Sequence, residues 1–124
     1  KQDVIFTGRL TPAQLNNVLG AAWAMTFVPY FEGFGIPILE AMTCDIPVIA
    51  SKVTSLPEIA GDAALFASPD SPGSIRDGMI RLVREEGLRQ ELIEKGRIRR
   101  ELFSWDHTAT KLWESVQQVL EENA

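Results

Sequence analysis

The segment Glu32-Gly33-Phe34-Gly35-Ile36-Pro37-Ile38-Leu39-Glu40 joins a glycine-containing loop to a predicted helix start. Gly33 and Gly35 can adopt positive φ and let the backbone approach a ligand, because neither carries a Cβ. Pro37 suits the first helical turn, where amide groups lack intrahelical acceptors. A helix start of this kind attracts phosphate through its free amides and the positive end of its dipole. The segment therefore predicts a site for a phosphorylated ligand.

Two carboxylates flank this helix start and are separated by seven residues. Glu32 lies in the predicted loop, and Glu40 lies about one turn inside the predicted helix. A carboxylate suits vicinal hydroxyls because it accepts hydrogen bonds and carries no donor of its own. One of the two can face a sugar while the other faces a ribose, so the segment as a whole predicts a sugar-nucleotide pocket.

The rest of the chain alternates apolar and turn signals in the order typical of parallel strands joined by helices. Thr11 and Pro12 provide a helix start after the first apolar run. We expect about four short strands, almost wholly apolar because helices cover both faces of a parallel sheet. These strands are predicted at residues 4–6, 25–28, 47–50 and 64–67.

The C-terminal part has the pattern of long amphipathic helices. We predict helices over residues 74–86 and 88–102, with Gly87 between them, and a last helix over residues 105–122 that begins after Ser104 as N-cap. The last helix carries an apolar stripe, made of Leu112, Trp113, Val116, Val119 and Leu120. No internal repeat or linker interrupts the chain, so residues 1–124 are assigned to a single α/β domain.

Five segments in this order resemble a known family, the retaining glycosyltransferases of the GT-B fold, in the group often called family four. The first is the segment from Glu32 to Glu40 with the Ala-Met that follows it. The others are Pro-Val-Ile-Ala-Ser, Ser-Leu-Pro-Glu-Ile, Gly-Asp-Ala-Ala and Phe-Ser-Trp, which begin at residues 47, 55, 61 and 103. The resemblance covers almost the whole chain.

The resemblance implies a Rossmann-like three-layer α/β/α fold, namely a truncated C-terminal, donor-binding domain. A complete GT-B enzyme needs two domains, whereas 124 residues make one, and the chain begins at Lys1 without a methionine. We therefore expect a partial donor domain without the N-terminal acceptor domain and without the family's cations for the donor's pyrophosphate. Such a piece is expected to bind nucleotide weakly and to have no turnover alone.

The resemblance also implies roles for individual residues in transfer of a sugar, with retention, from a UDP- or GDP-linked donor. Glu32 is the candidate catalytic residue and contacts the donor sugar, without being called a nucleophile. Glu40 binds the ribose. Further donor-binding positions are Gly33, Phe34, Gly35, Ile36, Ile38 and Leu39, and the nucleotide base lies against Gly8, Arg9 and Leu10. No cofactor is implied, and the lone His107 gives a metal site little support.

Two positions depart from the family pattern. Pro29 stands where a small polar residue is common, and Asp45 stands where a glycine is common. Asp tolerates the left-handed conformation better than most residues, so we expect the turn at Asp45 to persist. The hydroxyl lost at Pro29 could have faced the donor.

Composition excludes some function classes. The formal net charge is -5, and no Lys/Arg stripe with interleaved aromatics is present, which argues against nucleic-acid binding. Apolar runs are far shorter than the roughly 20 residues of a membrane-spanning helix, and no signal-peptide pattern is present. We expect a cytoplasmic location, with the parent protein peripheral on the membrane face. The stripe on the last helix is a possible surface for self-association.

Two alternatives stay open. The chain could be a nucleotide-binding or assembly module without catalytic duty, which the acidic charge and the missing cations allow. It could also be an unrelated doubly wound domain such as a flavodoxin-like fold, which predicts a different strand order and does not account for the segment from Glu32 to Glu40.

Overall fold

A computed structural model describes residues 3–122. In this range helices and strands alternate up to α4, and two further helices follow. The order is α1 (Pro12–Gly20), β1 (Met25–Phe27), α2 (Ile36–Thr43), β2 (Val48–Ser51), α3 (Leu56–Ala60), β3 (Ala64–Ala67), α4 (Pro72–Arg84), α5 (Leu88–Arg100) and α6 (Trp105–Glu122).

The strands form one parallel sheet in the order β1-β2-β3. Met25 pairs with Val48, and Val48 pairs with Ala64, so the central strand β2 is bonded on both edges. The parallel α/β architecture is confirmed. The expectation of about four strands is wrong, because the described chain has three.

The missing strand is the one predicted at residues 4–6. Val4, Ile5 and Phe6 are irregular in structure and 61%, 79% and 90% exposed. Strand formation depends on ladder pairing and on burial of at least one face, and within the described range neither the sheet nor a helix covers these side chains. Apolar composition alone therefore does not make this segment a strand.

The sheet has a buried core on each face. Val48 and Ala50 point to one face and pack with the buried side chains of α2 and α3, whereas Ile49, between them, points to the opposite face and packs with Leu82 of α4. This alternation is the period of two that a strand imposes. The result is the expected three-layer α/β/α arrangement. Gly78 allows α4 to lie close to the sheet, since a Cβ there would be 3.3 Å from Ile49 Cγ2.

Helix α5 supplies arginines that satisfy the C-terminal carbonyls of two neighbouring helices. Arg100 Nη1 donates to the carbonyls of Met42 (2.8 Å) and Thr43 (3.2 Å) at the end of α2. Arg99 Nε donates to the carbonyl of Ile59 (2.9 Å) at the end of α3. The last carbonyls of a helix have no intrahelical donor, and cations there also complement the helix dipole. These contacts hold α2 and α3 in place.

Helix α6 matches the predicted last helix. Ser104 Oγ accepts a hydrogen bond from the His107 amide at 3.0 Å, as expected of an N-cap. None of the residues of α6 is buried. The stripe predicted from the sequence includes Leu112 and Trp113, which are 67% and 60% exposed. Among residues 3–122, no helix combines the length and apolarity needed to cross a lipid bilayer.

Candidate functional site

The candidate site lies at the carboxyl edge of the sheet. One loop leaves β1 and leads into α2, and a second loop leaves β2 and leads into α3. Ligands of open parallel sheets bind at this edge, where loops feed into helix starts. The first loop carries Glu32, and the second carries Thr54 and Ser55.

Gly35 is the N-cap of α2 and has φ 112°, ψ 37°. A Cβ at this position would lie 2.8 Å from Leu56 Cδ2, and Leu56 is fully buried. Gly35 is therefore required both by its backbone conformation and by its close approach to the core. The positive φ expected at Gly33 is not found, and open space lies where a Cβ would stand; its part in donor binding stays a prediction.

The start of α2 leaves amide donors available. Pro37 is in the first turn, as predicted, and the Ile38 amide donates to the Gly35 carbonyl at 3.0 Å. Within the described range, no acceptor is bonded to the amides of Gly35 and Ile36. Free amides at the positive end of a helix dipole form an anion-binding arrangement. Gly35 is buried and Ile36 is exposed, so the turn is open to solvent at Ile36.

Helix α2 has one exposed face and one buried face. Ile36 and Glu40 are four residues apart on the exposed face, whereas Ile38 is fully buried and Leu39 is half-buried. The Glu40 carboxylate has no hydrogen-bond or ion-pair partner in residues 3–122. The structure thus places Glu40 beside the open turn. The side chains of Ile38 and Leu39 serve the core, which leaves only their backbone for a ligand.

Glu32 is held through its backbone. Its amide donates to Thr54 Oγ1 at 3.2 Å, and its carbonyl accepts from Thr54 Oγ1 at 2.8 Å and from Ser55 Oγ at 2.9 Å. Its carboxylate Oε1 accepts a long hydrogen bond of 3.4 Å from the Phe34 amide. Phe34, one of the predicted donor-binding positions, therefore directs its amide at the Glu32 carboxylate.

The base of the same loop is fixed by a buried hydroxyl. Ser51 is fully buried, and its Oγ donates to the Pro29 carbonyl at 2.6 Å. Pro29, one of the two departures from the family pattern, thus contributes its carbonyl to the attachment. No role in this loop was predicted for Ser51, Thr54 or Ser55. Their only sequence signal is a cluster of hydroxyls directly after a buried strand.

An aromatic contact joins the loop to the end of α5. The rings of Phe34 and Phe103 meet edge to face, with centroids 6.0 Å apart. The Arg99 guanidinium lies 5.5 Å from the Phe103 ring centroid. Phe34 remains 45% exposed. The loop is therefore supported from the C-terminal side as well as from the β2–α3 side.

The predicted base-binding segment lies apart from these contacts. Gly8 has φ 65°, Gly8 and Arg9 are exposed, and Leu10 is half-buried. Since residues 4–6 form no strand, this segment does not follow a strand end as predicted. In the described part of the chain, no hydrogen bond or ring contact joins it to Glu32 or Glu40.

Asp45 follows α2 and has φ 57°, the left-handed conformation expected at this position. Arg97 binds its carboxylate with both Nε (2.9 Å) and Nη2 (2.7 Å), and Arg100 Nη1 lies 3.4 Å from it. The hydrogen bond from Arg97 lowers the pKa of the Asp45 carboxyl below its usual value, and partial burial opposes this effect. Where the family commonly has glycine, this chain has an ion pair between the α2–β2 turn and α5.

Comparison with known proteins assigns the chain to a family. The sequence profile of the family described as "Glycosyl transferases group 1" matches residues 1–99. The chain belongs to this family. The matched range includes both loops of the candidate site and the whole sheet.

Several relatives are mannosyltransferases. The chain is 35% identical over 106 residues to the O-antigen chain mannosyltransferase B of Escherichia coli, a match that covers 86% of this chain and 28% of the relative. It is 32% identical over 123 residues to the serotype-specific mannosyltransferase WbdA of Escherichia coli, covering 99% of this chain and 15% of the relative. It is 29% identical over 114 residues to the MMP alpha-(1->4)-mannosyltransferase of Mycolicibacterium hassiacum, covering 88% of this chain and 28% of the relative. The chain thus spans less than a third of the length of these proteins.

Proposed function

We propose that the protein transfers a mannosyl group from a nucleoside diphosphate donor to an acceptor hydroxyl, and that this chain supplies the donor-binding part. Family membership and the names of the mannosyltransferase relatives support sugar transfer. The observation that carries the proposal is the start of α2, where the amides of Gly35 and Ile36 have no acceptor in the described range and lie along the chain between Glu32 and Glu40.

Donor recognition is divided along this turn. The diphosphate lies against the amides of Gly35 and Ile36, which favour negative charge together with the helix dipole. Glu40, on the exposed face of α2, accepts hydrogen bonds from the ribose hydroxyls. Glu32, in the anchored loop, accepts hydrogen bonds from hydroxyls of the sugar.

The proposed reaction retains the anomeric configuration. The bond between the sugar C1 and the diphosphate oxygen breaks, and the acceptor oxygen bonds to C1 on the same face. The acceptor proton passes to the departing phosphate. Amides at the start of α2 stabilise the charge that develops on the diphosphate, because they already point to it before the bond breaks.

The chain needs positive charge from elsewhere to complete this site. It carries no Lys or Arg between Arg9 and Lys52, the range that contains β1, the first loop and all of α2. A diphosphate carries two or more negative charges, and solvent screens them only in part. Amides are neutral groups and do not balance this charge, and burying a charge without a partner is costly. We therefore propose that these 124 residues alone bind nucleotide weakly and have no turnover.

Calorimetric titration of the complete protein with UDP and with GDP tests donor binding. We expect one nucleotide to bind, and Glu40→Ala to weaken that binding by about tenfold or more, the effect of losing charge-assisted hydrogen bonds. Glu114→Ala is the matched control, since Glu114 is an exposed glutamate on α6. Equal affinities for the two variants would contradict the proposed role of Glu40.

Retention is tested separately by NMR of the product. With an α-linked mannosyl donor, the new linkage is expected to be α, as shown by the one-bond coupling between C1 and its proton. A β product would refute retention while leaving the donor site in place.

A further inference from the structure

We infer that Thr54 is a positioning residue for Glu32, acting through the backbone of Glu32 rather than by contact with a substrate. This inference deepens the proposed function and rests on it for the role of Glu32. It is carried by the two hydrogen bonds between one hydroxyl and both peptide groups of Glu32.

The hydroxyl of Thr54 bonds to Glu32 in two directions. Thr54 Oγ1 donates its proton to the Glu32 carbonyl at 2.8 Å and accepts from the Glu32 amide at 3.2 Å. A hydroxyl has one donor and two acceptor lone pairs, so both bonds can exist together. The amide and the carbonyl of a residue belong to the two peptide planes on either side of its Cα. Fixing both therefore fixes the direction in which the Glu32 side chain leaves the backbone.

Two further hydroxyls act on the same loop. Ser55 Oγ donates to the Glu32 carbonyl at 2.9 Å, so that carbonyl accepts two hydrogen bonds. Ser51 Oγ donates to the Pro29 carbonyl at 2.6 Å from a fully buried position. Together these hydroxyls attach the Pro29 end of the loop to the last residue of β2 and the Glu32 end to the β2–α3 connection.

The backbone of Thr54 indicates that its hydroxyl is needed. Thr54 has φ 45°, in the left-handed region, where a β-branched residue is an outlier. Glycine or asparagine satisfies such a turn with less strain. Neither offers a hydroxyl that can donate to the carbonyl and accept from the amide of Glu32. The strain is retained where the side chain makes two hydrogen bonds to the loop that carries Glu32, which is the pattern expected at functional sites.

The two halves of the donor, its nucleotide and its sugar, should respond differently to the loss of the Thr54 hydroxyl. If Thr54 orients Glu32 and Glu32 contacts the sugar, loss of the Thr54 hydroxyl weakens recognition of the sugar but not of the nucleotide. A general loss of folding would weaken both. The relevant comparison is between the free nucleotide, UDP or GDP, and its mannosyl diphosphate ester.

The experiment uses three variants of the complete protein. Thr54→Val keeps the shape and removes the hydroxyl, Thr54→Ser keeps the hydroxyl, and Thr110→Val is the matched control. Thr110 Oγ1 donates to the Asp106 carbonyl at 2.9 Å within α6. For Thr54→Val we expect kcat/KM for mannosyl transfer to fall about tenfold, consistent with losing a hydrogen-bond partner, with nucleotide affinity unchanged. Thr54→Ser and Thr110→Val are expected to stay within about twofold of the unmodified protein, below the effect of one hydrogen bond.

A second measurement does not depend on any ligand. The Glu32 amide is protected by Thr54 Oγ1 and is exposed otherwise, so its hydrogen exchange, followed by NMR, is expected to accelerate in Thr54→Val and not in Thr54→Ser. Unchanged exchange in Thr54→Val overturns the inference. So does an equal loss of kcat/KM in Thr54→Val and Thr54→Ser. If the unmodified protein binds neither nucleotide and transfers no mannose, the proposed function fails, while the exchange result still decides whether Thr54 holds Glu32.

Discussion

Replacing Gly35 by alanine is expected to be the most damaging single-methyl change in the site. Gly35 has φ 112°, and an added Cβ would lie 2.8 Å from Leu56 Cδ2, 3.7 Å from Ile38 Cδ1 and 3.8 Å from Ile59 Cβ. A contact of 2.8 Å between carbon atoms is well inside their optimal separation of about 3.5–4.0 Å. Leu56 is fully buried and cannot move away freely.

The magnitude has two parts. Holding alanine at this positive φ costs roughly 1–3 kcal/mol, the range for non-glycine residues in sparsely populated backbone regions. Forcing a methyl group into a packed core costs roughly 1–3 kcal/mol more. The free energy of unfolding is therefore expected to fall by about 2–6 kcal/mol, a large fraction of the roughly 5–15 kcal/mol typical of a domain.

The assay is urea unfolding of the 124-residue chain followed by far-UV circular dichroism. Gly33→Ala is the matched control, because Gly33 is two residues away, lacks a positive φ and has no atom within 4 Å of an added Cβ. That variant is expected to change the free energy of unfolding by no more than about 0.5 kcal/mol, as is usual at surface positions.

A double-mutant cycle with Leu56→Ala separates the clash from the backbone strain. Leu56→Ala alone is expected to cost about 2–5 kcal/mol, as is usual for a buried leucine. With Gly35→Ala the combined cost should fall below the sum by about 1 kcal/mol or more, because the clashing Cδ2 atom is gone. The reasoning is refuted if Gly35→Ala unfolds like Gly33→Ala, or if the two costs are additive.

Two further predictions concern the contacts of α5. Asp45→Asn keeps a residue that tolerates φ 57° but removes the charge, so the free energy of unfolding near pH 7 should fall by less than about 1 kcal/mol, as for other solvated ion pairs. The hydrogen bond from Arg97 lowers the folded-state pKa of Asp45 below 3.8. The contribution of Asp45 to stability is therefore complete above that pH and is lost as the pH falls through the folded-state pKa. In urea unfolding from pH 7 to pH 2 the stabilities of the two proteins should converge, and a constant difference would contradict the assignment. Phe103→Leu removes the edge-to-face contact with Phe34 and the contact with Arg99, and should cost about 0.5–1.5 kcal/mol beyond the change in buried area. It should also accelerate hydrogen exchange of the Phe34 amide, and no change in that exchange would show that Phe103 does not support the loop.

Much of the fold could be predicted from local pattern. The predicted helix starts at Thr11 and Ser104 are confirmed, because an N-cap is decided within three residues of the chain. The buried strand β2 is also confirmed, since a short apolar run between turn signals is typical of a strand covered on both faces. The run at residues 4–6 has the same local character, yet it is exposed and irregular. The difference is that β2 has neighbouring strands on both edges, and pairing with distant strands cannot be read from a local pattern.

The features of the candidate site also divide into those predictable from local sequence and those set by packing. The glycine loop, the helix start and the exposed Glu40 could be placed from the sequence, whereas the positive φ expected at both glycines is found only at Gly35. The two glycines differ in φ and in the packing of Leu56 against Gly35, and neither difference can be read from the sequence. The roles predicted for Glu32, Glu40 and the segment from Gly8 to Leu10 stay predictions until donor binding is measured.

By itself the sequence determined the alternation of helices and parallel strands, the helix that begins at the glycine loop, and the placement of a carboxylate on either side of that start. These are properties of residues close together in the chain, set by caps, backbone preferences and apolar spacing. Tertiary structure alone decided how firmly the site is held: Thr54 reaches Glu32 across 22 residues, and Arg97 reaches Asp45 across 52. Such contacts arise when the sheet and α5 bring distant segments together, because a hydrogen bond depends on distance in space and not on distance along the chain.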